Sequence, residues 1–408
     1  MARAGIVILK QGREKPVLQY HPWVFSGAID STRTNLEDVE PGDIVEVRDY
    51  RGGFLARGYW NPRSQIRVRI LTWDQNDLIG PAWWRVRMAR AIAAREGLAS
   101  RGDTDAYRLI FAESDGLPGL IVDRYGDYLV IQSLTLGIEV RKDQIVEALV
   151  GLLNPRGIYE RSDADVRHLE GLGDTVGLLY GEMPPDFITI REWGMQYPVT
   201  VMEGHKTGFY LDQKHTRHWL LHEPTIAGRD VLNCFSYTGS LSACAAKNGA
   251  ASITNVDTSG PALEIAQETM RLNGLEHVPA EYINADVFET LRAFREEERS
   301  FDLIILDPPK FAHTAQQVER ASRGYKDINW LAFQLLRPGG LLMTYSCSGH
   351  IDPDLFQKIV FGASVDAGVQ AQIVHRFAHP EDHPVLLAFP EARYLKGLVC
   401  RTTAFGSA

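Results

Sequence analysis

The chain has 408 residues, 45% of them apolar, and a formal net charge of −9. That length exceeds what one hydrophobic core usually serves, so two or three domains are expected. No apolar run approaches the ~18 to 20 residues that cross a bilayer, and MARAGIVILK is too short for a signal segment, so a soluble, cytoplasmic chain without a membrane partner is expected. The negative total argues against a nucleic-acid binder without excluding one, because such binding uses a local patch. Residues 1–74 hold 11 Lys+Arg against 9 Asp+Glu, so the basic share is concentrated at the N-terminus.

The first 75 residues show short alternating runs, "GIVIL", "PGDIVEVRD", "FLARGYW" and "QIRVRIL", which predict a small β-rich module over 1–75. In 65–71, Ile66, Val68 and Ile70 alternate with Arg67 and Arg69, giving one apolar and one basic face. The basic face is either a solvated exterior or a contact for RNA phosphates. Helical spacing follows over 81–97, with Pro81 near the start, Gly97 at the end, and the pair Trp83 and Trp84 read as core anchors. Further strands and the helical "RKDQIVEALVGLL" make a central α+β domain over 76–190, in which no chemistry is apparent.

From about 191 the pattern becomes strands alternating with helices, the mark of an α/β domain with a parallel sheet, here 191–408. The strands are predicted at 230–235, 252–257, 281–286, 301–307 and 340–348, which puts Asp257, Asp286, Asp307 and Cys347 at carboxyl ends, the edge where ligands bind in open sheets. After the first strand, Asn233, Phe235, Ser236, Tyr237 and Gly239 fall in "NCFSYTG", a tight turn opening a helix. A glycine there permits close backbone approach to a ligand. The turn lacks the GxGxxG of dinucleotide enzymes, while Asp257 stands at the spacing of a ribose-binding acid. Each carboxylate alone reads as a helix N-cap or turn residue. Together they suggest a nucleoside cofactor with little phosphate, and S-adenosylmethionine fits.

"DPPKF" at 307–311 ends a buried strand in two prolines, predicting a stiff loop that holds Asp307 and Lys310 at the sheet edge. A DPP-aromatic loop resembles that of amino-group methyltransferases acting on bases, but here Lys310 follows the prolines and the aromatic is displaced to Phe311. Methylating carbon 5 of cytosine requires a thiolate that adds to carbon 6 and a group at N3; methylating an amine requires neither. Cys347 in "YSCSG" and Asp307 serve those two needs, with Lys310, Lys326 or a cofactor cation favouring the thiolate. Cys234, Cys244 and Cys400 lie inside a strand, a helix and a late strand, and read as structural. No CxxC pair suggests a disulfide or zinc framework. His215, His218 and His222 share one helical face but have no carboxylate companion at ligand spacing, so no metal site is expected.

Over nearly its whole length the chain resembles the bacterial 23S ribosomal RNA cytosine-C5 methyltransferases of the RlmI type, in "HPWVFSGAI", "AESDGLPGLIVDR", "GHKTGFYLDQ", "VLNCFSYTG", "DPPKF", "RGYKDIN", "YSCSG", "DHP" and "YLKG". The resemblance implies an N-terminal PUA domain, a central domain and a C-terminal Rossmann-like methyltransferase. It also implies that 204–214 borders the cofactor, with Tyr210, Asp212 and Arg217 near it; on the residues alone Asp212 reads as a helix N-cap. Ser240 and Lys214 depart from the glycine and arginine common in the family.

The resulting expectation is transfer of methyl from S-adenosylmethionine to carbon 5 of a cytosine in 23S ribosomal RNA, free or in an assembling particle, with homodimer formation left open. Cys347 is the nucleophile, Asp307 contacts N3 or the exocyclic amine, Asp257 binds ribose, Asp286 lies near adenine, and Phe235 and Tyr237 line the cofactor. The alternatives are an amino-group RNA methyltransferase with a structural Cys347 and a noncatalytic RNA-binding factor on the same fold.

Overall fold

A computed structural model describes residues 5–312 and 314–403, and the chain divides into two compact units. The first joins Met1–Glu192 to two later segments, Val199–Leu211 and Glu381–Ala392; the second comprises Trp193–Pro198, Asp212–Pro380 and Arg393–Ala408. The boundary expected near 191 is therefore crossed again by two excursions. Buried polar groups hold them in the first unit. Arg108 grips Asp123 through two bonds of 2.8 Å, and Thr207 donates to the same carboxylate at 2.6 Å. The Arg108 amide in turn donates to Asp382 at 3.1 Å.

Two five-stranded sheets build the first unit. One orders Gly5–Ile8, Ile44–Arg48, Phe54–Trp60, Ile66–Thr72 and Trp23–Phe25, parallel only between the first pair. Alternation in Ile44–Arg48 buries Val45 and Val47 completely. Gly58 cannot carry a side chain, because a Cβ would lie 2.1 Å from the Arg69 carbonyl oxygen. Arg69 corrects the expected basic face. Its guanidinium is buried and bridges Glu113 at 2.8 Å and Glu170 at 2.9 Å. Period-two spacing assigns a residue to a face and does not say what covers that face.

The second sheet orders Thr175–Gly181, Gly157–Ser162, Tyr128–Ser133, Leu120–Tyr125 and Ala106–Phe111. Trp84, on the helix Pro81–Ala93, is buried in its core as expected, with Trp83 partly buried against it. That helix stops earlier than expected. Arg95 leaves helical geometry and turns its buried guanidinium onto Asp115 with two 2.8 Å bonds, so Gly97 falls inside a second helix, Glu96–Arg101.

A seven-stranded sheet forms the second unit, from Asp230–Cys234 (β1), Ser252–Asp257 (β2), Ala280–Asn284 (β3), Phe301–Leu306 (β4), Leu336–Ser346 (β5), Gln370–Phe377 (β6) and Lys396–Thr403 (β7). Their order is β3-β2-β1-β4-β5-β7-β6, with β7 alone antiparallel to its neighbours. The buried apolar runs 303–306 in β4 and 341–343 in β5 suit strands covered on both faces. Strand order reverses between β1 and β4, so the crevice for a ligand opens at their carboxyl ends. Among the described residues no helix is long and apolar enough to cross a membrane.

Candidate active site

The turn after β1 is built from left-handed backbone. Phe235 has φ +58°, Tyr237 +47° and Gly239 +68°, conformations that a side chain disfavours and that persist where surrounding structure enforces them. The enforcing contacts are visible. Ser236 N–H donates to the Val256 carbonyl at 3.1 Å, and Tyr237 N–H donates to Asp257 Oδ2 at 2.8 Å. Gly239 opens the helix Ser240–Lys247 (α1), but its missing side chain makes room for protein rather than ligand. A Cβ would lie 2.6 Å from that of Ala266 on the helix Gly260–Leu272 (α2).

Asn233 is buried at the end of β1 and donates to Ser242 at 2.7 Å. Its Oδ1 and the Oγ of Ser236 are buried without a hydrogen-bond partner among the described residues, and such atoms require a ligand or water. Asp257 already accepts from two amides, Tyr237 and, at 2.9 Å, Ser259. A carboxylate has about four acceptor positions, so capacity remains. Asp286 lies two residues beyond β3, exposed, as the N-cap of the helix Val287–Glu296 (α3), accepting from Glu289 N–H at 3.0 Å.

β4 and β5 run parallel with Leu306 opposite Thr344, so Asp307 and Cys347 both emerge from the same edge. Asp307 accepts a 2.8 Å bond from Gln213 Nε2. Gln213 in turn accepts from Thr216 Oγ1 at 2.7 Å, and Thr216 lies 3.0 Å from the Tyr345 hydroxyl. Burial first, then the Asp307 charge, raises the Tyr345 pKa, so that phenol stays protonated as a hydrogen-bonding group.

Ser348 ties the two loops together. Its Oγ accepts from the Ala312 amide and lies within bonding distance of the Tyr325 hydroxyl, both at 3.2 Å. Phe311 turns onto the same Tyr325, ring centroids 4.6 Å apart, with the Phe288 ring 6.1 Å from that of Phe311. Lys310 is exposed after the two prolines. Lys326, one of the three cations considered for the thiol, pairs its ammonium with Asp366 at 2.6 Å on neighbouring helices.

Cys347 is half-buried, whereas Cys234, Cys244 and Cys400 are buried. Burial raises the Cys234 thiol and pushes Cys400 up to about 12, which keeps both protonated and inert. Lys396, absent from the expected site, is buried, and Nζ donates to the Ser348 carbonyl at 2.6 Å and to that of Ile351. It stands in "YLKG", and only the pairing of Lys396 with Ser346 reveals its place.

Asp212 is not the N-cap of the helix Lys214–His222; Gln213 holds that position, and its side chain does not cap the helix amides. Its Oδ2 instead accepts from the Tyr394 hydroxyl at 2.6 Å. Arg217 is buried with its guanidinium 5.8 Å from the centre of the Tyr197 ring, and Lys214 is also fully buried. Tyr210 belongs to the first unit, where Lys206 lies 4.3 Å above its ring.

A family model described as a PUA-like domain matches residues 7–73, and one described as an S-adenosylmethionine-dependent methyltransferase matches 172–401. The chain is 48% identical to the ribosomal RNA large subunit methyltransferase I of Photobacterium profundum, covering 97% of this chain and 98% of that protein. It is 49% identical to the protein of the same name from Shewanella denitrificans, covering 96% and 98%. In three dimensions it is similar to a solved chain described as a methyltransferase complexed with S-adenosylhomocysteine, with TM-score 0.84 and 23% identity over 97% of this chain and 99% of that one. A Streptococcus mutans chain described as S-adenosylmethionine-dependent gives 0.83 and 22% over the same shares.

Proposed function

The chain belongs to the ribosomal RNA large subunit methyltransferase I family, whose members use S-adenosylmethionine, and on that premise we propose that it methylates carbon 5 of a cytosine in 23S ribosomal RNA. The reading assigns RNA contact to the module 1–75, leaves 76–190 as the central domain, and puts chemistry in 191–408, in the cytoplasm.

The turn after β1 fits a nucleoside cofactor. Asn233 Oδ1 and Ser236 Oγ are buried polar atoms in need of partners, and Asp257 keeps acceptor capacity for ribose hydroxyls. Phe235 and Tyr237 line this pocket, Gly239 lets the turn pack against Ala266, Asp286 lies near the adenine, and Asp212 and Arg217 border the donor. When bound, S-adenosylmethionine supplies an electrophilic methyl group.

The Cys347 thiolate adds to carbon 6 of a cytosine splayed from its stack, forming a C–S bond and giving carbon 5 the character of an enamine. Asp307 holds N3 or the exocyclic amine, and Lys310 lends positive charge at the rim. Carbon 5 takes the methyl group, with S-adenosylhomocysteine as leaving group; a base then accepts the carbon-5 proton as the C–S bond breaks and its electron pair returns to sulfur. The observation that carries this reading is the placement of the half-buried Cys347 directly beyond β5, on the same sheet edge as Asp307. The packing of Phe311 onto Tyr325 supports it as well, because an aromatic so engaged is a poor platform for an amine-bearing base.

Two measurements test it. Cys347→Ala is expected to abolish methyl incorporation into ribosomal RNA from cells lacking the protein, and retained turnover would point to amine methylation. RNA carrying 5-fluorocytidine at the target should trap a covalent adduct, since fluorine cannot leave as the proton does.

A further inference from the structure

We propose that Lys396 is a positioning residue for Cys347, holding the turn that carries the thiol and placing a buried positive charge that favours the thiolate.

The geometry comes from β7. Lys396 pairs across the strand with Ser346, the residue before the cysteine. Its ammonium donates to the carbonyls of Ser348 and Ile351, on the turn that begins at Cys347. The ammonium therefore ties together the turn 347–351. Only 6% of its surface is exposed.

A buried ammonium without a carboxylate bridge is costly, so a structural role alone is better met by a neutral donor. Burial lowers the lysine to about 8, while the charge of Cys347 acts to raise it. Asp352 also raises it, and Arg393 and Lys310 lower it. Coupling between two titrating groups is reciprocal, so a thiolate that retains the proton on Lys396 is itself favoured by that cation. Deprotonation of the thiol sends its proton to solvent and leaves the lysine charged.

This inference rests on the reading of Cys347 as the nucleophile but is measured separately from it. Full-length protein is treated with iodoacetamide across pH, and alkylation of Cys347 is followed by mass spectrometry; the other three cysteines are buried and serve as internal controls. The wild-type midpoint is expected below the ~8.5 of a free thiol. In Lys396→Met it should rise by about one unit or more, cutting the rate at pH 7 about tenfold, with Lys396→Arg restoring most of the difference. A wild-type midpoint at or above ~8.5 overturns the inference without any variant. So does an unchanged midpoint in Lys396→Met that melts like the wild type. If that variant fails to fold, Lys396→Gln is read in the same way. Methyl transfer by Cys347→Ala, assayed in parallel, separates the two ideas: turnover there removes the nucleophile, whereas a dead Cys347→Ala with equal midpoints removes only the role of Lys396.

Discussion

Gln213 donates its side-chain amide to Asp307, Nε2 to Oδ2 at 2.8 Å, and thereby connects the start of one helix to the turn after β4. Asp307 is only half-buried, so its carboxylate can rotate unless something holds it. The bond from Gln213, itself oriented by Thr216, is such a hold.

Gln213→Ala is therefore expected to reduce kcat/KM for methyl transfer about tenfold or more, the loss associated with a hydrogen bond to a charged group, about 1.5 to 3 kcal/mol. Gln213→Glu should be worse, because it sets a second carboxylate against Asp307. Steady-state methyl incorporation with a fixed ribosomal RNA substrate measures both. Equal activity in Gln213→Ala would show that the bond does not position the acid.

Ser236 allows a test in which stability and binding move apart. Its Oγ is buried with no partner among the described residues, so Ser236→Ala removes an unsatisfied group and should leave the melting temperature unchanged or raise it. If the hydroxyl meets the cofactor, affinity for S-adenosylhomocysteine by calorimetry should fall about five- to tenfold, the usual range for one neutral hydrogen bond. Unchanged affinity would remove Ser236 from the cofactor pocket.

Part of this candidate site is legible in the sequence because a strand covered on both faces, as in 303–306, writes itself as an apolar run, and Asp257, Asp307 and Cys347 stand at or one residue beyond the ends of their strands. The same logic puts Asp286 at a strand end, but β3 ends at Asn284 and the acid serves as a helix cap. What spacing does not reveal is partnership between distant segments. Gln213 reads as an ordinary polar residue until the fold sets it beside Asp307, and Lys396 as one more strand residue until β7 pairs with β5. Arg69 fails for the same reason: alternation put it on an outer face, and Glu113 and Glu170 arrive from elsewhere in the chain to cover it.

At Gly239 two costs coincide, a φ of +68° and the 2.6 Å approach to Ala266. Gly239→Ala should destabilise the protein by about 1 to 3 kcal/mol, seen as a lower denaturation midpoint. Adding Ala266→Gly relieves the steric part and leaves the backbone part. The double variant is expected to recover some but not all of the loss, and full recovery would show that the left-handed backbone is not strained.

Arg69 and Glu170 predict an acid-sensitive first unit. Burial alone would raise the Glu170 carboxyl, but the Arg69 charge and the bonds from Ser64, Arg69 and Asn61 outweigh it, and the net shift is downward. A carboxylate whose folded pKa lies below its unfolded value stabilises the fold at pH above the unfolded value, about 4.3, and that contribution disappears as pH falls through the lower folded value. Denaturant unfolding followed between pH 7 and pH 3 should show stability falling below about pH 4.3, with a smaller fall in Glu170→Gln, which has no carboxylate to protonate. Arg69→Met is expected to cost about 3 to 5 kcal/mol at pH 7, because Glu113 and Glu170 then remain buried without their cation. At low pH the cost should shrink as Glu170 takes up its proton. A loss in Arg69→Met that is independent of pH would mean that packing of the side chain, rather than its charge, holds this part of the unit together.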